Sequence, residues 1–175
     1  AAWAAARDRN ERLVEIKQGK GQSETHPLLS PNDEFAGYEL YEALLGLPAD
    51  VGRIDRITGS YARQALKDGI TMQDQRGYNP YKFGFGAASD SHNSASPYRQ
   101  DNFFGLHADA DGTVERRFAG VLIGGTMDVR LENPGGLTGV WAEENTRASL
   151  WDAMYRKETF GVSGPRIKVR LFGGW

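Results

Sequence analysis

An α/β fold is predicted by three observations along the chain. Two short β-rich segments, 13–17 and 81–88, each run directly into a polar loop. A helix-patterned segment lies between them at 61–68, and a longer one follows at 144–157. Strands and helices therefore alternate along one chain, which is the pattern of a sheet covered by helices.

The Ala-rich opening, with Arg7, Arg9, Glu11 and Arg12, reads as the last turns of a helix entering the strand LVEIK at 13–17. That strand alternates apolar and charged residues and opens into QGKGQSETHPLLSPNDEF, a long loop punctuated by Gly19, Gly21, Pro27 and Pro31. Long loops inside compact domains are uncommon unless they carry function, and this one gathers Lys20, Glu24 and His26. Residues 34–45 repeat Phe35, Tyr38, Tyr41, Leu44 and Leu45 at helical steps, which predicts a helix. In the next helix Ser60 is placed to cap YARQALKD, Ala62, Ala65 and Leu66 form the apolar stripe, and Gly69 sits where a left-handed terminal residue is wanted. Phe83, Phe85 and Ala87 alternate with small residues, so a buried strand is expected over 81–88. Residues 93–120 show little period, and AGVLIGG suits either a strand or a buried helical turn. In ENTRASLWDAMYRK, Leu150, Trp151 and Met154 have helical spacing, with acids first and bases last as the helix dipole prefers. A final strand is expected at 166–172, with Ile167, Val169 and Leu171 on one face.

Composition narrows the function. The 175 residues carry 25% charged and 39% apolar side chains, a globular rather than a disordered balance. With 21 Lys+Arg against 23 Asp+Glu the net charge is -2, so no large phosphate-backbone footprint is expected and nucleic acid is not the first partner. No apolar run reaches the roughly 20 residues of a bilayer span, and no secretory cleavage pattern follows the first residues. Cysteine is absent, which removes disulfides, thiolate zinc sites and cysteine nucleophiles and weakly favours a cytoplasmic setting. Chemistry must come from oxygen, imidazole or a metal. The chain starts without Met, inside what reads as a helix, and stops just after a strand, so it is expected to be a portion of something larger.

Three constellations stand out. Ser89-Asp90-Ser91-His92 follows the apolar strand directly, and a carboxylate and an imidazole two residues apart can converge on one divalent ion. The same tripeptide also serves as an ordinary turn, with Asp90 as its cap. Gln18-Gly19-Lys20-Gly21 lets backbone amides and an ammonium face an anion, or forms a plain turn; it lacks Walker spacing, so a nucleotide triphosphatase is disfavoured. Ser163-Gly164-Pro165-Arg166 sets a guanidinium beside a tight turn, fit for a carboxylate or phosphate or for tying the turn down.

Long stretches of the chain resemble the domain-of-unknown-function 3604 family, a branch of the PHP (polymerase and histidinol phosphatase) superfamily of metal-dependent hydrolases. The resemblance is carried by VEIKQGKGQSETHPLLSPNDEF, NPYKFGFGAASDSHNSAS, DNFFG, GLTGVWAEENTRASLWDAMYRKE and VSGPRIKVRLFGGW. It implies the C-terminal portion of a distorted PHP-type β/α barrel with one extra strand, spanning 1–175 as a partial domain. It implies Asp90 and His92 as ligands of divalent metal (zinc, manganese or iron), Lys20 and Glu24 at the same mouth, Glu15 as support for the strand, and Arg166 on the substrate side. The early H-x-H motif of that superfamily is absent, and the only histidines are His26, His92 and His107. The expected activity is hydrolysis, with phosphate esters as the favoured small-molecule substrate, completed by a missing N-terminal part or by self-association. The alternative is a binding or structural segment that keeps the fold without a complete metal site.

Overall fold

The computed structural model describes residues 1–42, 57–95, 99–120, 122–123 and 127–174. Among these the chain is mixed α/β, with four α-helices and three small sheets, none closed into a barrel. No helix among them is long and apolar enough to cross a membrane.

Helix α1 (Ala2–Asn10) leads into β1 (Leu13–Gln18), as the sequence predicts. Arg12 fixes this junction: its guanidinium donates to the carbonyl of Tyr155 at 2.8 Å and lies 4.4 Å from the Tyr155 ring. The short β2 (Gly21–Gln22) folds back antiparallel on β1, and β3 (Gly84–Ala87) runs parallel to β1 on its other side. The order is β2-β1-β3, with Val14 opposite Phe85 and a bulge between Glu15 and Lys17. This parallel pair brings the exits of β1 and β3 to the same end of the sheet.

Helix α2 (Ala62–Arg76) departs from its expected limits at both ends. Tyr61, not Ser60, is the N-cap residue, and the first amides of the helix, Ala62 and Arg63, donate to the carbonyls of Ser23 and Glu24 at 2.9 Å each. Backbone from the loop after β2 thus does what a capping side chain would. Gly69 lies inside the helix and is buried, because the Asn79 side chain packs where its Cβ would stand; Gly77, at φ 75°, makes the left-handed end.

The helix expected over 34–45 is not formed in its described part, 34–42, which is a series of turns. Asp33 accepts from the Phe35 amide at 3.0 Å, and Glu39 sits at φ 46°, which breaks a helix; Leu44 and Leu45 lie outside the described residues. The apolar stretch after α3 (Val114–Ala119) contains a strand, β4 (Leu122–Ile123), paired with β5 (Met127–Asp128).

An antiparallel ribbon of β6 (Leu137–Val140) and β7 (Thr159–Val162), joined through α4 (Arg147–Tyr155), packs against β3. The Thr138 hydroxyl accepts from the Ala87 amide at 2.9 Å and donates to its carbonyl at 2.7 Å, while the Thr159 hydroxyl donates to the Phe85 carbonyl at 2.6 Å. A Cβ on Gly84 would lie 2.8 Å from that of Lys157, so the small residues of GFGA are what let the ribbon come this close. Helix α4 forms where a helix is expected but is shorter, Arg147–Tyr155, with the Thr146 side chain as its cap; Glu143 and Glu144 precede the cap and Arg156 is the C-cap, so no acid lies in its first turn and no base in its last.

The strand expected at 166–172 is not formed. Its backbone joins no ladder, and Leu171 and Phe172 are exposed. The alternating pattern is present, but no sheet edge among the described residues receives it; the segment is held by Trp141, whose indole N–H donates to the Val169 carbonyl at 2.9 Å.

Candidate metal centre

The exits of β1 and β3 are tied together by backbone. The Gly19 amide donates to the Ser89 carbonyl at 3.2 Å, and residues 133–136 cross both exits, with Asn133 N–H on the Gly19 carbonyl at 3.0 Å and Gly136 N–H on the Ala88 carbonyl at 2.8 Å. Gly135, at φ 74°, has no room for a side chain: a Cβ would lie 2.7 Å from the Ser89 Cα. The Asn133 side chain accepts from Gly135 N–H at 2.9 Å and from the buried Lys17 ammonium.

On this platform stand Asp90, His92 and Lys20. Asp90 adopts φ 54°, a left-handed conformation that Asp tolerates better than most residues, and it turns the chain immediately after β3. One carboxylate oxygen of Asp90 pairs with the Lys20 ammonium; the other lies 3.3 Å from His92 Nε2. His92 N–H donates to the Leu106 carbonyl at 2.8 Å, which fixes the loop. Burial holds the Lys20 ammonium below the ordinary lysine range, against the pull of Glu132 and Glu15.

Beside this group lies one that sequence reasoning missed. The His107 ring sits 4.2 Å from that of His92, and one ligand atom each from His107, Asp111 and Glu132 lie within 4.8 Å of one another. Asp111 is fully buried and accepts from the amides of Leu106 and His107 at 2.6 and 2.7 Å. The Glu132 side chain is 0% exposed, and its Oε1 is 4.0 Å from His107 Nδ1. Burial, with the facing Asp111 carboxylate, pushes the Glu132 acid up to about 8. Burial, and then the neighbouring His92, lower the His107 imidazole. The sequence offers only slight signals for it: His107 is one of three histidines, Asp111 follows it at four residues, and Glu132 precedes the turn Asn133-Pro134-Gly135-Gly136, but nothing local joins 107 to 132.

The remaining candidates lie elsewhere. Glu24 pairs with Arg63, and both line an open hollow with Lys17, Ser163, Pro165 and Ile167. Arg166 lines a different hollow with Trp141 and Phe160, and Glu15 is exposed on β1. His26 is buried, accepting from the Leu28 amide at 3.1 Å and lying 3.1 Å from Glu42, which ties its loop rather than reaching the mouth.

Carboxylates and imidazoles at a strand exit suit a borderline divalent cation. The fit is supported by buried donor atoms with no hydrogen-bond partner, His107 Nδ1 and both oxygens of Glu132. No curated protein and no solved structure matches the chain. The model of a family described as protein of unknown function, DUF3604, matches residues 1–175. This chain, with its cluster of acids and imidazoles at two parallel strand exits, belongs to the DUF3604 family.

Proposed function

We propose that this chain is part of a metal-dependent hydrolase acting on phosphate esters, and that it contributes the later strands of a PHP-type β/α barrel. The observation that carries the reading is the convergence of Asp90, His92 and Lys20 where parallel β1 and β3 end, the end of a sheet where α/β enzymes build their sites. Asp90 and His92 would hold a zinc, manganese or iron ion. A bound dication supplies Lewis acidity, acidifying water to about 7 and offsetting charge on an ester.

The residues of the chain do the rest. Asp90 is held in its left-handed turn, so its two oxygens are presented separately to Lys20 and to His92. Lys20 is a positive charge on a loop pinned by Gly19; its ammonium is paired with Asp90, and it would be released toward an incoming anion where Asp90 is engaged by an ion instead. Glu24 and Arg166 line two hollows that share Val162 and Ile167 and include neither Asp90 nor His92, so they would meet only parts of a substrate distant from the ion.

A second reading, a binding or structural segment without metal, is favoured by one observation: the Lys20 ammonium already neutralises Asp90. Metal content and phosphomonoesterase and phosphodiesterase activity of the longest natural form decide between them. Asp90→Asn and His92→Ala should each lower bound metal and reduce turnover by at least 100-fold, by the scale of losing a metal or its supports. Unchanged metal content in both variants favours the second reading.

A further inference from the structure

Among the described residues, three of the six buried side-chain polar atoms lacking a hydrogen-bond partner meet at one place: His107 Nδ1, Glu132 Oε1 and Glu132 Oε2. A folded chain seldom leaves such atoms unsatisfied, and an unpaired buried carboxylate is among the costliest cases. A proton, a water molecule or a cation could occupy this cluster, and a water would leave the charge of the buried carboxylates uncompensated. A proton shared between Asp111 and Glu132 would bring the two carboxylates together but leave His107 Nδ1 with nothing. A cation would satisfy all three side chains at once. Lys20 is near enough to influence Glu132, yet its ammonium is committed to Asp90 and neither Glu132 oxygen has a hydrogen-bond partner.

We propose that His107, Asp111 and Glu132 form a second seat for a divalent cation, separate from Asp90 and His92. One imidazole nitrogen with carboxylate oxygens and no thiolate selects Zn²⁺, Mn²⁺ or Fe²⁺ over the all-oxygen ions Ca²⁺ and Mg²⁺. Asp111 already has its orientation set by two backbone amides, the kind of support that metal-binding carboxylates need. The ion would staple the loop 105–111 to residues 132–136, the segment that crosses the exits of β1 and β3.

This seat does not depend on the hydrolase reading, since a protein that binds the ion and hydrolyses nothing would still uphold it. The test is metal content of the longest natural form after loading with Zn²⁺ or Mn²⁺ and desalting, with thermal unfolding before and after chelator. Glu132→Gln keeps the shape of the protonated acid and can donate to Asp111, so the fold should persist. It is expected to lose one equivalent of metal and most of the chelator response, and His107→Gln should do the same. The double variant Asp90→Asn/His92→Ala should retain that equivalent. Wild-type metal content and chelator response in Glu132→Gln would show that Glu132 holds no ion and overturn the seat. Loss of all metal from the Asp90→Asn/His92→Ala variant would also overturn it, by showing a single common site.

Discussion

Gly135 and Glu132 show how much a single residue does at this mouth. Gly135 combines φ 74° with contact to the backbone of Ala88, Ser89 and Gly19. Gly135→Ala should therefore destabilise the protein by about 1–3 kcal/mol, because a left-handed non-glycine residue is strained and its Cβ has nowhere to go; a chemical denaturation midpoint measures it. Glu132 gives a pH signature in metal-free protein. The folded chain keeps its proton up to about 8, whereas an unperturbed glutamate releases it near 4.5. The native state thus binds the extra proton between those values, and stability should fall as pH rises across that window and level off above it. Glu132→Gln should flatten the slope; an unchanged slope means that another group titrates. Asp90 and His92 stand out in the sequence because a D-x-H after an apolar strand is a local pattern, one that suits a turn cap as well as a metal. His107, Asp111 and Glu132 were not, because 107 and 132 meet only through the tertiary fold.

At the scale of elements, legibility followed how local the stabilising contacts are. Helix α1 and strand β1 carry their signals in their own residues and lie where the sequence predicts them, and α4 forms inside its predicted stretch without the charged end turns. The end of α2 was misjudged because Gly69 serves the approach of Asn79, a contact that helix-end rules do not contain. Strands β6 and β7 were not foreseen: LTGV and TFGV are short and glycine-interrupted, and their order comes from each other and from β3. Residues 166–172 show the reverse, a strong strand pattern with no ladder to join. The threonine contacts of the ribbon are testable. Thr138→Val keeps the shape and removes a hydroxyl that serves both the N–H and the carbonyl of Ala87. It should cost about 1–3 kcal/mol, the penalty for leaving partly buried backbone groups unsatisfied. A cost below about 0.5 kcal/mol would mean that water replaces the hydroxyl.

Among the described residues, the fully buried side chains are few and mostly small, while Trp3, Trp151, Phe118, Leu171 and Phe172 are each more than half exposed. Arg12 and Lys157 clamp α1 to the end of α4, with Lys157 Nζ 2.9 Å from Asp8, yet the groove beside them, lined by Leu13, Phe83, Trp151 and Met154, remains open. So much apolar surface favours cover by further chain or by another copy. The chain purified alone should run above its 19.3 kDa mass in light scattering, and a sharp monomer at high concentration would contradict this. Whether Asp90 and His92 hold a divalent metal at the strand exits is read from an anomalous-difference map of crystals of the longest natural form soaked in Mn²⁺ or Zn²⁺. A peak within about 2.0–2.2 Å of both an Asp90 oxygen and a His92 nitrogen is expected. No peak at these two residues, with the Lys20–Asp90 ion pair intact, would contradict it.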